Sequence, residues 1–510
     1  MDFEGTTGND TLIGTPDSDD IRGRAGDDVL VGGDGNDNIG GHQGNDLISL
    51  GNGNDFAIGY EDADTITGGP GADTMHGDAG DDVLSGDEGD DWLEAWGGND
   101  TAAGGDGADT IDGGAGNDML QGGAGHDRLS GQAGINRLHG GDGSDLLYGG
   151  ADMDTLEGGE GNDDIFGGDG SDYIYDQGSA GSLLPNVLRG EGGFDTIWGG
   201  DGRDWMLGGD GNDQIAGGLA DDTANGNKGD DTIYGDAGHV VFDAGGQEQV
   251  GNDVLRGGAD NDLLFGFGGD DELYGDADND TVHGGDGADS MRGGDGKDLL
   301  MGESGADTVE GGDGEDKLHG NRGADSLDGG NESDIVYGGQ GTDVLEGRSG
   351  DDWLCGGTDN DTLRGQEGDD VLIGADGDDL VDGGGGDDTI SLDAGNDRII
   401  LGDGDDALYF GPSGFSEWCP CAPGGTGIDT IVGFDPGDDQ IYIGQDQIIF
   451  RVVNGVTIGA PIETVQDLVD CIKAGEGGTL VDLGNDSQIL LEGIDPETVL
   501  EQLDEFFSMF

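Results

Sequence analysis

Apolar residues recur at every ninth position, in three runs between Leu12 and Leu408, many of them with small or polar neighbours. The first run reads Leu12, Ile21, Leu30, Ile39, Ile48 and so on to Ile174, with Ala57 and Ala102 as its thin spots. An apolar residue between polar ones marks a short strand, because the middle side chain faces one way and its neighbours the other. The residues between strands repeat too. GGDGADTID is followed at once by GGAGNDMLQ, from Gly104 to Gln121. The unit is Gly-Gly-x-Gly-x-Asp-x-U-x, with U apolar. Its first six residues predict a turn, since glycine reaches positive φ without strain. Its last three predict a minimal strand. One unit is then half a coil, and two units close a flattened coil. Stacked coils form two parallel sheets with the U residues between them. Each turn lies above the turn two units earlier, which brings Asp109 near Asp127.

The aspartate keeps the phase. The first run holds Asp10, Asp19, Asp28, Asp37, Asp46, Asp55, Asp64, Asp73, Asp82, Asp91, Asp100, Asp109, Asp118, Asp127, Asp145, Asp154, Asp163 and Asp172, with Asn136 the one substitution. A second run opens at Asn186 and continues through Asp195, Asp204, Asp213, Asp222 and Asp231. The third holds Asp253, Asp262, Asp271, Asp280, Asp289, Asp298, Asp307, Asp316, Asp325, Asp334, Asp343, Asp352, Asp361, Asp370, Asp379, Asp388, Asp397 and Asp406. Asp172 to Asn186 spans one unit plus five residues, and Asp231 to Asp253 two units plus four. The expected organisation is repeat run 1 over 1–176, a loop over 177–185, run 2 over 186–234, an irregular insertion over 235–250, run 3 over 251–410 and a C-terminal domain over 411–510. His239 to Phe242 is the one strand-like stretch in the second insertion. Asp62, Asp152, Asp260, Asp278 and Asp359 replace the third glycine of the unit. Aspartate tolerates left-handed backbone better than most residues; Ala220 and Glu332, at the same position, are less comfortable.

Stacked carboxylates repel unless a cation lies between them, and carboxylate with peptide oxygens is the hard-oxygen set that calcium prefers. The phrase resembles the RTX nonapeptide repeat of bacterial type I secreted proteins, over about four-fifths of the chain. That resemblance implies an all-β, right-handed parallel β-roll with many Ca2+ ions, and makes the repeat aspartates its metal ligands. If a calcium bridges each turn to the turn two units on, a run of N units holds about N − 2 ions, roughly 37 over the three runs. Composition agrees. The chain has 510 residues, a formal net charge of -98 and 119 glycines. Without periodicity such a chain reads as disordered, which is the expected state of the metal-free protein. The charge excludes nucleic acid and anionic lipid as direct partners.

From Gly411 the pattern changes. Asp429 to Ile443 resembles the strand–turn–strand segment that closes many RTX rolls. Thr464 to Ala474 predicts a helix, Leu480 to Leu483 with Ile489 to Leu491 a hairpin, and Asp495 with Pro496 the start of a last helix. The whole is a small α+β cap, and its end, Asp504 to Phe510, is acidic and then apolar, like the C-terminal signal of type I substrates. The N-terminus carries no basic, apolar leader, and no stretch is long and apolar enough to span a membrane. His76, His139, His283 and His319 fall at the outward ninth position and read as surface residues rather than zinc ligands. Cys355, Cys419, Cys421 and Cys471 are too few for a disulfide scaffold, and Cys419-Pro-Cys421 fits no standard metal spacing. Neither HExxH nor GxSxG occurs, so no enzyme is expected. The resemblance implies a secreted protein with a structural or adhesive role at the cell surface or in the extracellular matrix. A type I exporter and a surface or matrix polysaccharide are its expected partners. The alternative is an RTX-type toxin or bacteriocin, against which stands the lack of a long apolar helical region.

Overall fold

The computed structural model describes residues 1–176, 184–236, 241–242, 248–249, 251–392 and 394–410, and beyond these the strands Ile428–Val432, Gln440–Ile443, Ile448–Arg451, Ile472–Ala474, Gly478–Gly484 and Ser487–Glu492. The chain divides into two compact units, Met1–Leu263 and Leu264–Phe510. No helix occurs among the described residues, so none there is long and apolar enough to cross a membrane. The fold is a parallel β-solenoid.

In the first unit successive strands alternate between two parallel sheets. Val29–Asp34 pairs with Leu47–Asn52, placing Leu30 opposite Ile48 and Gly33 opposite Gly51. The strand between them, Asn38–Gln43, belongs to the other sheet and pairs with Phe56–Glu61. The register is the expected one, two repeats per coil. The U residues, from Ile21 to Leu255, fill the space between the sheets and are excluded from solvent. The second unit is built alike. Ser290–Asp295 pairs with Thr308–Asp313 in one sheet, and Leu299–Ser304 with Lys317–Arg322 in the other. Leu273 to Leu408 form its core row.

The strands are longer than the x-U-x minimum. Val29–Asp34 runs through the U residue Leu30, both glycines and the next x, and only Gly35, Asn36 and Asp37 turn. The sheet ladder continues past the first glycine, because parallel neighbours of identical sequence satisfy one another's peptide groups at both ends. The first glycine, Gly32, therefore faces inward beside Leu30 and is buried. That position is a second core row. Leu50, Ala95 and Leu401 occupy it with apolar side chains and are buried.

Neither break interrupts the sheets of the first unit. Asp164–Asp169 pairs with Asn186–Gly192 across the first loop, and Thr223–Lys228 with Val254–Ala259 across the second. Val254–Ala259 is therefore the next strand of its sheet after Thr223–Lys228. Inside the second break Val241–Phe242 pairs antiparallel with Glu248–Gln249, apart from both sheets.

The closing strands are present. Ile428–Val432 adds in parallel to Arg398–Asp403, and Gln440–Ile443 to Ala407–Phe410. The expected hairpin is Gly478–Gly484 with Ser487–Glu492. Ile472–Ala474, expected as the end of a helix, is instead a strand paired antiparallel to Gly478–Gly484. An open sheet edge beside it offers hydrogen bonds that outweigh a local helical preference. Residues 464–471 and the helix expected from Asp495 lie outside the described residues. Cys355 is buried and disulfide-bonded, while Cys419, Cys421 and Cys471 lie outside the described residues.

The backbone at the third glycine stays left-handed where several other residues stand there. Asp62, Asp152 and Asp359 have φ of 74°, 74° and 80°, Ala220 86° and Glu332 69°. Asp62 and Asp152 use the geometry, accepting the amides of Gly44 and Gly134 on the previous coil at 3.1 and 3.2 Å. Alanine and glutamate make no such bond. Ala220→Gly and Glu332→Gly should each stabilise the calcium-loaded protein by about 1 kcal/mol, the usual cost of a left-handed non-glycine residue. Thermal denaturation monitored by circular dichroism checks this, and a lowered midpoint for both would contradict it.

Candidate metal sites

Each repeat aspartate ends its turn, and its side chain turns back into the stack. One oxygen serves the backbone. Asp46 Oδ1 accepts the amide of Asp28 at 2.8 Å, and Asp64 Oδ1 that of Asp46 at 2.7 Å. Asp127 accepts from Asp109 at 2.8 Å, the pair singled out by the sequence. The other oxygen has no such use. In every repeat aspartate from Asp28 to Asp231, and from Asp289 to Asp388, Oδ2 is buried and accepts no hydrogen bond. Burying half a carboxylate without a partner costs several kcal/mol unless a cation compensates it.

The first glycine of the unit shows what faces that oxygen. A Cβ placed on Gly122 would lie 2.4 Å from Asp127 Oδ2 and 2.6 Å from the peptide oxygen of Gly140, one coil on. On Gly32 it would meet Asp37 Oδ2 and Leu50 O, both at 2.4 Å. A carboxylate and a peptide oxygen thus converge in a space that a side chain would fill. Only hard oxygens line it, which suits calcium and not zinc or copper. Among the described residues no three His, Cys, Asp or Glu side chains converge. That is the expected result where peptide oxygens supply part of the set.

Burial is the first cause that raises these carboxyls, followed on the same side by the charge of the aspartate one coil away. The amide bond to Oδ1 opposes both. Asp46 is pushed up to about 6, Asp64 and Asp109 to about 7, Asp334, Asp361 and Asp370 to about 8, and Asp222, with Asp204, Asp253 and Asp236 around it, to about 10.

Several positions depart from the pattern. Asp10 and Asp19, at the open end of the stack, turn Oδ2 to Thr6 and Thr15, whose amides lie at 2.5 and 2.6 Å. Asn136 keeps the backbone bond, accepting the Asp118 amide at 3.0 Å. Its Nδ2 stands where Oδ2 stands elsewhere and donates to Gly134 O at 3.0 Å, so an N–H group faces the site. Leu50, Ala95 and Leu401 carry a side chain at the first-glycine position of the units that end in Asp55, Asp100 and Asp406. The sequence signal for these three was an in-phase apolar residue where glycine is the rule. The backbone bond passes over the breaks: the amide of Asp163 donates to Asn186, that of Asp172 to Asp195, that of Asp222 to Asp253 and that of Asp231 to Asp262, as on coils elsewhere. The histidines lie on the outer faces. His76 and His139 each pair with a glutamate at 3.3 Å, His283 with Glu303 at 3.0 Å, and His319 stacks on Tyr337.

These sites carry three expectations. Asn136→Asp should lower the calcium midpoint of the surrounding coils about tenfold, or ~1.4 kcal/mol, read by hydrogen exchange of residues 119–143. Ala95→Gly should act the same way on residues 83–106 by opening the space beside Asp100. An unchanged midpoint refutes either. The third concerns pH. Carboxyls held at about 6 to 8 in the roll, against 3.8 unfolded, mean that the metal-free roll binds more protons than the unfolded chain. Its stability is therefore greatest below about pH 4 and is lost as pH rises through 6 to 8. In excess chelator, circular dichroism should show β structure in acid and its loss towards pH 8; a pH-independent signal would refute this.

Comparison with known proteins agrees with this geometry. No curated protein matches the chain. The family model of the RTX calcium-binding nonapeptide repeat matches in overlapping stretches that together cover 4–175, 181–242 and 250–412. A left-handed glycine turn, an aspartate column that climbs one coil at a time and buried carboxylate oxygens facing peptide oxygens are what that repeat encodes, and the chain belongs to the RTX family of calcium-binding repeat proteins.

Proposed function

We propose that this is a secreted, non-catalytic calcium-binding protein that serves as a structural or adhesive element outside the cell. The observation that carries the reading is the column of buried Oδ2 atoms, many of them facing a peptide oxygen of the next coil, as Asp127 faces Gly140. Repeat aspartates and first-glycine carbonyls hold the ions, many per chain. Some 37 ions would bring about +74 of charge against -98. Calcium is then a condition of folding. In a cytosol poor in calcium the chain stays unfolded and threads an exporter, and outside it folds. The adhesive part of the reading draws on the outer faces. Trp92 and Trp96 stand half-exposed on one strand, and both indole N–H groups donate to Glu94, at 2.9 and 3.2 Å. Exposed aromatic rings beside a carboxylate suit the faces and hydroxyls of sugars.

Calcium titration of the full chain tests the first part. With a chelator, circular dichroism should show a disordered chain at pH 8, becoming β-rich at millimolar calcium. Full β content in chelator would refute it. Vesicle leakage separates the adhesive reading from the toxin: the calcium-loaded protein should release no entrapped dye and should sediment with insoluble polysaccharide, less so as Trp92→Ala/Trp96→Ala. Dye release with no sedimentation would favour the toxin.

A further inference from the structure

We propose that Asp176 is a calcium ligand outside the repeat aspartates, and that it rebuilds the site from which the first loop leaves the roll. The proposal rests on the calcium reading above and adds to it a residue that the repeat unit does not contain.

In a regular site the carboxylate of one unit meets the peptide oxygen of the first glycine one coil on. Beside Gly149 these are Asp154 Oδ2 and Gly167 O, at 2.6 and 2.5 Å from the Cβ position. Beside Gly158 the pattern changes. The residue one coil on is Asp176, the last before the loop. The same point is now flanked by Asp163 Oδ2 at 2.6 Å and Asp176 Oδ1 at 2.7 Å. The nearest oxygen from the next coil is here a side-chain one, where beside Gly149 it is a peptide oxygen. Asp176 is 3% exposed, and the coils on either side hold it. Its Oδ1 accepts the amide of Gly159 at 3.0 Å, and its own amide donates to Trp198 O at 2.9 Å. Asp163 is wholly buried, and its Oδ2 accepts no hydrogen bond.

The same break has removed a charge. The side chain that follows Asp163 in the column is Asn186, which accepts the Asp163 amide at 3.0 Å and turns its Nδ2 to Asp204 Oδ1 at 2.7 Å. Asp176 thus brings a carboxylate to the coil on which Asn186 has replaced one, and sets an oxygen of it beside Asp163 Oδ2. Asn136 provides the contrast. It too removes a carboxylate, from the site of Asp118, but the first-glycine position there is an ordinary glycine, Gly131. Drift of a glycine to aspartate in an acidic chain would not bury the new carboxylate against another, because a buried carboxylate pair without a cation is costly.

The test is hydrogen exchange of the full chain during calcium titration, with Asp176→Gly and Asp176→Asn. Asp176→Gly restores the residue usual for the repeat, so a merely structural role predicts equal or better protection. The proposal predicts the reverse: for both variants the calcium midpoint of residues 164–169 and 186–192 rises at least fivefold, residues 290–403 are unchanged, and equilibrium dialysis counts one ion fewer. An unchanged or lower midpoint at 164–192, or a rise shared equally by 290–403, would overturn it. If residues 290–403 of the unaltered chain show no dependence on calcium, the calcium reading of the repeats fails instead.

Discussion

A buried carboxylate that recurs with the repeat, and from Asp28 to Asp231 and from Asp289 to Asp388 has one oxygen used and one not, sets the terms for the rest of this protein. The used oxygen ties each turn to the turn one coil before it, as Asp127 does for Asp109. The unused one cannot stay buried and charged without a cation. The column of aspartates therefore holds the coils together when the charge is met and drives them apart when it is not. The hydrophobic row between the sheets contributes stability along the whole stack, yet with one or two small or medium side chains per half-coil it is thin. A thin core and a column of uncompensated charge give a chain whose folding is conditional.

The three glycines of each unit follow from the same constraint, for two different reasons. In the turn around Asp37, Gly33 and Gly35 have φ of 120° and 121°, which L-residues resist. Gly32 is not left-handed. It is small because carboxylate and peptide oxygens converge on the place its Cβ would take. Substitutions sort accordingly. At the left-handed positions aspartate recurs and repays part of the strain with a bond to the neighbouring coil. At the convergence position the apolar exceptions Leu50, Ala95 and Leu401 become core residues.

A solenoid tolerates insertions because each coil touches only its neighbours. Both excursions return to the next coil in register, and the aspartate ladder passes over them, from Asp163 to Asn186 and from Asp222 to Asp253, with the same bond as elsewhere. What an excursion disturbs is the turn from which it leaves. Asp176 stands at such a point, and so does Asp236, buried and accepting the amide of Gly251 at 3.1 Å.

Much of this was legible in the residues alone. The period of nine, the alternation around each U residue and the aspartate phase determined the parallel two-sheet coil, its register and the aspartate column, because identical units can stack only in phase. The tertiary structure decided what depends on a neighbouring coil. Strand length is one case: the ladder carries Val29–Asp34 through two glycines that read locally as turn. Ile472–Ala474 is another, a strand because an edge lay open beside it. The buried rank of Leu50, the N–H that Asn136 turns to its site and the oxygen that Asp176 brings to Asp163 are the rest. Each is set by what the adjacent coil presents, and no local pattern records which way such a side chain turns.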